Sequence, residues 1–277
     1  MKTRTSISVS MCISLCLLAG GLKLYSQSAT KNHAQISKAY QQRVFDTPYG
    51  NQRRWSKNAL ISFRQYGKSQ KEKILVYDQT GALNRRATVS LPDAGVISVS
   101  DATLNGDGLL LASGGTRDTK GRVAHFIAQL NETGQVGRVI RTTPFMARKI
   151  CVAKDDGTVW AYGGDQGTVR DSAVLEQYSF DKGLLKALFP RTELGREWVG
   201  LDGGSPEQIH LACTAQKVVV FNAVSDVLLE YDLSTDQATS RKVSPLPGRR
   251  DLLVTGFCLT DDGLILVSLY QKTISLR

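Results

Sequence analysis

The chain has 277 residues, 42% of them hydrophobic and 22% charged, and a formal net charge of +10. This is ordinary globular composition, long enough for one large all-β domain or two smaller ones. Seven prolines and one sustained polar stretch, Thr30 to Gln52, argue against a string of separated modules.

Lys2 and Arg4 precede an apolar run from Ile7 to Leu18, and Ala19-Gly20-Gly21 leads into polar sequence from Ser26. A charged start, an apolar middle and a small-residue end are the pattern of a secretory signal. The run is too short for a spanning helix, which needs about 20 apolar residues. Residues 1–28 are therefore expected to be a signal peptide, with cleavage after Gly21 or Ser28, and the protein to be exported to the periplasm or the extracellular space. An uncleaved anchor is the alternative. A lipid-anchored cysteine is disfavoured, because Met11 and Leu15 stand before Cys12 and Cys16 where a small residue is wanted. Loss of Lys2, Arg4 and Lys23 with the signal lowers the net charge from +10 to +7. No run of four basic residues occurs, so the charge reads first as a solubilising surface and gives no evidence for specific nucleic-acid binding.

Residues 29–56 read as a polar linker without a period; His33 lies here with no partner at metal-ligand spacing. The remainder, 57–277, reads as one repeat domain. Ala59 to Phe63, Lys73 to Tyr77 and Ala87 to Leu91 are strand candidates, the last two closed by Asp78-Gln79-Thr80-Gly81. They form a unit lacking its first strand.

The complete unit is Val96 to Pro144. Strand, Asn105-Gly106-Asp107-Gly108, strand, polar loop, strand, Asn131-Glu132-Thr133-Gly134 and a fourth strand follow in order. The pattern recurs with Asp155-Asp156-Gly157 and Asp181-Lys182-Gly183. It recurs more loosely with strands at Trp198 to Leu201, Ile209 to Thr214, Val218 to Asn222 and Leu228 to Leu233. It begins once more at Leu253 with Asp261-Asp262-Gly263. Gly108 to Gly157 is 49 positions and Gly134 to Gly183 is 49 as well. Two independent turn series at one period predict an all-β fold: a β-propeller of four-stranded blades, four to five of them visible, with the ring either closed or open.

This arrangement resembles bacterial propellers of the NHL and YVTN kind, at the level of the superfamily, from about Ala59 onward. No Trp-Asp closes a blade, and Trp160 sits in a second strand, so the WD signature is absent. The resemblance implies a fold and assigns no residue a role. Some propellers of this broad type are lactonases or esterases with a divalent metal held in the central channel.

Asp101, Asp155, Asp156, Asp202, Asp261 and Asp262 lie near first strands. Asp155, Asp156, Asp261 and Asp262 are explained by the turns, where Asp bonds its own backbone. His125 and His210 lie inside apolar strands, and no nucleophile, Cys-x-x-Cys or His-Glu-x-x-His motif accompanies them. No catalytic residue, metal ligand or cofactor is therefore assigned. Cys151, Cys213 and Cys258 lie in apolar runs and read as core residues with no disulfide.

One set of residues is suggestive. Basic residues follow a proline in successive connections: Arg148 and Lys149 after Pro144, Arg191 and Arg196 after Pro190, Arg249 and Arg250 after Pro247. Arg117 and Arg170 each follow a Gly-Gly pair. Arg117, Arg148, Lys149, Arg170, Arg196, Arg249 and Arg250 would gather on one rim and suit carboxylate, phosphate or sulfate groups. The expected function is a binding or scaffolding module that presents this rim to a protein or an anionic polymer. The alternatives are a metal-dependent hydrolase of the lactonase kind and a truncated fragment without independent function.

Overall fold

The computed structural model describes residues 51–64, 70–153, 157–165, 172–194, 208–243, 252–259 and 265–271. Its described elements are all strands, and no described helix is long and apolar enough to cross a membrane. The expected signal segment lies outside the described residues.

The first blade is β1 (Asn51–Ser56), β2 (Ala59–Arg64), β3 (Lys71–Tyr77) and β4 (Leu83–Ser90). The second is β5 (Val96–Leu104), β6 (Leu110–Arg117), β7 (Val123–Leu130) and β8 (Val136–Arg141). The third is β9 (Phe145–Cys151), β10 (Thr158–Asp165), β11 (Ala173–Ser179) and β12 (Gly183–Pro190). The fourth is β13 (Ile209–Cys213), β14 (Lys217–Asn222), β15 (Val227–Asp232) and β16 (Gln237–Lys242). β17 (Leu252–Leu259) and β18 (Ile265–Gln271) form a two-stranded sheet of their own. Every pairing is antiparallel between neighbours in sequence, and the first strands β1, β5, β9, β13 and β17 follow one another around the axis. The protein is an all-β propeller with four four-stranded blades.

Two expectations about the strands are corrected. The first blade does not lack its first strand: β1, in the stretch read as linker, pairs with β2 from Asn51↔Arg64 to Ser56↔Ala59. In the fourth blade the reading was one strand out of frame. Ile209–Cys213 is its first strand, and its fourth is β16, QATSRK, exposed at all six positions. An outermost strand with no apolar alternation leaves no hydrophobic signal to read. Trp198 to Leu201 lies outside the described residues.

The blades are held by the side chains between them. Along β7, Phe126, Ala128 and Leu130 join the core shared with the first blade, while Ile127 joins the core shared with the third. This is the period-two alternation of a strand buried on both faces. The third and fourth blades share Trp160, Leu175, Ile209, Val218 and Leu229, and Phe221 with Phe257 continues the series to β17.

The turns are built as their residues predict. Asp78, Asn105, Asp118 and Asn131 each accept a backbone N–H four residues on at 2.8–3.0 Å. Each loop closes on a glycine at φ near +80°, a region glycine enters without penalty. The Gly-Gly pairs have a separate cause. A Cβ at Gly114 would collide with the Ser98 carbonyl, and one at Gly163 with the Met146 carbonyl. The first strand therefore presses against the second just where β5 and β9 each carry a bulge.

Polar groups tie successive first strands. Asp101, 1% exposed, accepts from Arg54 of the first blade and from the Ile150 backbone N–H of the third, the latter at 2.8 Å. Ser56 and Thr103 share a hydroxyl hydrogen bond at 2.9 Å. Cys151 and Cys213 form a disulfide between β9 and β13, with Cα atoms 5.9 Å apart. This corrects the reading of both as unpaired core thiols. They are 62 residues apart in sequence, but the propeller lays consecutive first strands side by side.

Candidate anion-binding site on the third blade

At one end of the third blade lie the end of β10, the starts of β9 and β11 and the connections to the neighbouring blades, opposite the β11–β12 turn. The end of β12 reaches the same region, since the Arg191 N–H donates to the Ser172 carbonyl at 3.0 Å. The third blade is unusually polar there.

Arg191 is the centre. Its guanidinium lies on Gly164, so closely that a Cβ at that position would overlap Nη2. Glycine is required for the space it leaves, and not for its φ. The Nε of Arg191 is buried and without a hydrogen-bond partner, and among the described residues Arg191 forms no ion pair. Tyr162, 3% exposed, lies within electrostatic reach of both Arg148 and Arg191. Burial pushes its phenol up to about 12, and the two arginines, Arg148 first, pull against that shift. Tyr162 therefore stays protonated and available as a donor.

Acids lie beside this pair of cations. Asp165, 7% exposed, is raised by burial and drawn back by Arg191. Glu176, in the middle of β11, accepts from the Tyr178 hydroxyl. Burial lifts its carboxyl to about 7; the Tyr178 hydrogen bond opposes the shift and Asp165 adds to it. The Tyr178 phenol is raised in turn, by burial first and then by Glu176. The region thus holds two guanidinium groups, a buried acid, Asp165, whose hold on its proton burial strengthens, and a second carboxyl, Glu176, raised to about 7.

The rim residues fall into three groups. Arg148 joins the arginine pair described above. Arg117 stands exposed at the end of β6, and Lys149 lies within electrostatic reach of His210. Arg170, Arg196, Arg249 and Arg250 lie outside the described residues. Sequence reasoning placed Arg191 in a basic connection but did not single it out, and it missed Tyr162, Asp165, Glu176 and Tyr178. One signal was legible: Glu176 interrupts the apolar strand AVLEQYS at a position where a charge must be accommodated.

Among the described residues, the other candidates Asp101, His125 and His210 have structural surroundings. Asp101 is consumed by Arg54 and Ile150. Asp155, Asp156, Asp202, Asp261 and Asp262 lie outside the described residues, and among those described no three His, Cys, Asp or Glu side chains converge to hold a metal. His125 stacks its ring on Gly115, with a Cβ there 3.2 Å from Nδ1. His210 stacks on Phe257 at 5.7 Å, and burial, aided by Lys149, lowers it to about 4. A cavity of about 180 Å³ opens between the third and fourth blades near Trp160, Gln177, Lys186 and Tyr231. Lys186 already donates to Asp236 and Tyr231 there.

The blades and their order define a β-propeller, and comparison with known proteins adds fold likeness only. No family model and no curated protein matches the sequence. Among solved structures, a protein of unknown function from Bacteroides caccae aligns at TM-score 0.47 and 10% identity over 81% of this chain and 73% of its own. The periplasmic gluconolactonase of Pseudomonas aeruginosa aligns at TM-score 0.44 and 13% identity, over 77% of this chain and 62% of its own. The apocarotenoid oxygenase of Synechocystis aligns at TM-score 0.43 and 12% identity, over 77% and 53%. The chain thus spans less than two thirds of the last two.

Proposed function

We propose that the protein is an exported propeller that binds an anionic partner, a protein or a polymer, through the loop-bearing face of its second and third blades. The observation that carries the reading is the buried, unsatisfied Nε of Arg191, in a region where Arg148 and Arg191 both act on Tyr162. A buried donor without an acceptor is costly to keep, and an incoming oxyanion removes that cost. The scaffold holds both arginines on strands or strand ends, so little ordering remains to be done on binding. Export is supported by the pattern of residues 1–28 and by the Cys151–Cys213 disulfide, since such bonds persist mainly in oxidising compartments. The partner is argued from charge alone, and the resemblance to NHL and YVTN propellers adds no residue to it.

The test is retention on a heparin column, with elution followed against sodium chloride. Charge reversal at Arg117, Arg148 and Arg191 together is expected to move elution to markedly lower salt. Elution at the wild-type salt concentration, from a variant that remains folded, overturns the reading.

A second reading is a hydrolase of the lactonase kind, and one observation favours it. Glu176 exchanges its proton near neutral pH, as a general acid or base must. Turnover of simple lactones or aryl esters that disappears in Glu176→Gln would replace binding with catalysis as the main activity.

A further inference from the structure

Within that basic face, we infer that Arg191, seated on Gly164 with Arg148 and Tyr162 beside it, forms a discrete site for a single small oxyanion, a carboxylate or a phosphate group. The inference deepens the proposed function: it names the group recognised and the pocket that takes it.

Three features make this a built site and not a chance surface arginine. The backbone of Arg191 is fixed on both sides: its N–H donates to Ser172, and its carbonyl accepts from Leu194 at 3.2 Å. Its guanidinium occupies space that exists only because residue 164 lacks a side chain. Its Nε is buried and unsatisfied, while the side chain as a whole is only partly buried, so the guanidinium stays reachable and has donor capacity in reserve. In the second blade the space above the corresponding glycine, Gly115, is filled by the His125 ring. The third blade puts a permanent cation there instead.

Charge and shape select the ligand. A guanidinium presents parallel N–H donors that match a carboxylate or a phosphate, whereas a halide engages them singly. Arg148 supplies a second positive charge across Tyr162. Asp165 lies within electrostatic reach of Arg191 and opposes a second or third negative charge. The site therefore favours a compact anion of low charge. That anion could be a free metabolite or the terminal group of a larger acidic chain; the chemistry is the same.

Inorganic phosphate and acetate serve as probes, with sodium chloride at matched ionic strength as reference, read by thermal melting and by calorimetric titration. Saturable stabilisation is expected for the wild type with either anion and not with chloride. Arg191→Gln should weaken binding by about tenfold or more, the loss of one charge-assisted pair. Arg191→Lys should weaken it less and lose the preference for oxyanions. Gly164→Ala, which displaces the guanidinium but keeps its charge, should also lose it. Circular dichroism checks that each variant is folded. No saturable effect in the wild type, or unchanged binding in folded Arg191→Gln, overturns the inference. Heparin retention that depends on Arg117 and Arg148 while phosphate fails to bind would sink the discrete site alone. Phosphate binding through Arg191 with unaltered heparin elution in the triple variant would sink the wider reading alone.

Discussion

Replacing Glu176 by Gln should make the protein more stable at alkaline pH and leave it nearly unchanged in mild acid. Glu176 is 7% exposed, and its carboxyl is pushed from 4.5 to about 7, by burial above all. A difference of one in pKa corresponds to about 1.36 kcal/mol. Ionising this carboxyl in the folded protein thus costs about 3 kcal/mol more than in the unfolded chain. The sign follows from the raised value. Below pH 4.5 both states hold the proton and no penalty exists. The folded state loses stability as pH rises from 4.5 through about 7, where its own carboxyl ionises. Gln has the same shape, still accepts from the Tyr178 hydroxyl, and has nothing to ionise. The stability difference between variant and wild type should therefore grow by up to about 3 kcal/mol from mild acid to pH 8.

Urea unfolding at a series of pH values reads this difference directly. His210, lowered to about 4, costs stability as pH falls through its ordinary value of 6.5, but it does so in both proteins and cancels in the difference. A stability difference that stays flat between pH 4.5 and 8, or grows toward acid, would refute the argument. Tyr178→Phe supplies a second check. It removes the hydrogen bond that favours the carboxylate, so the decline should still begin near pH 4.5 but should continue to higher pH and become deeper than in the wild type.

Other consequences concern the scaffold. Asp101→Ala leaves the Arg54 guanidinium and the Ile150 N–H without their acceptor and should cost about 3–5 kcal/mol, seen as a lower urea midpoint. Cys151→Ser opens a link between residues 62 apart and should cost about 4 kcal/mol on the loop-entropy estimate. Reductant should lower the wild-type midpoint and leave that variant unaffected. Gly163→Ala drives a Cβ into the Met146 carbonyl and should disrupt the third blade. Gly157→Ala meets open space at positive φ and should cost only about 1 kcal/mol. Equal losses at these two glycines, measured by thermal melting, would contradict the steric account of the Gly-Gly pair.

The contrast between those glycines also explains what could be read from the sequence. Turn glycines are local: Asx-x-x-Gly between apolar runs fixes the loop, and its spacing gave the blade period before any contact was known. Strands with one buried face at least were legible for the same reason. β1 was not, because NQRRWS is polar and is justified only by partners such as Asp101, 47 residues away. β16 was not, because nothing covers it. The disulfide was not, because the proximity of β9 and β13 is a property of the ring and of no segment within it. Among the site residues, basic character after Pro190 was visible, but that Arg191 lacks an acceptor is a statement about its surroundings. The turn expected at Asp78 is present, and Asp118 makes the same turn inside what reads as a polar loop; Asp155, Asp156, Asp261 and Asp262, to which turn chemistry was applied, lie outside the described residues.

The second and third blades make the strongest case that function sits in one place. Their backbones match at the glycine pairs, at the bulges of β5 and β9, and at the bulges opposite β7 and β11. A propeller needs each of these features to press one strand against the next, so they carry no information about a ligand. The side chains hung on them differ. The second blade fills its equivalent space with an imidazole. The third fills it with an arginine whose Nε is unsatisfied, and buries Asp165, Glu176 and two tyrosines nearby. An interior carboxyl that costs stability above neutral pH, on the same blade as a guanidinium whose Nε is buried and unsatisfied, is poor design for a scaffold alone. Such local conflicts persist where a site needs them, and here they fall on a blade whose two flanking connections both carry basic residues, Arg148 and Arg191.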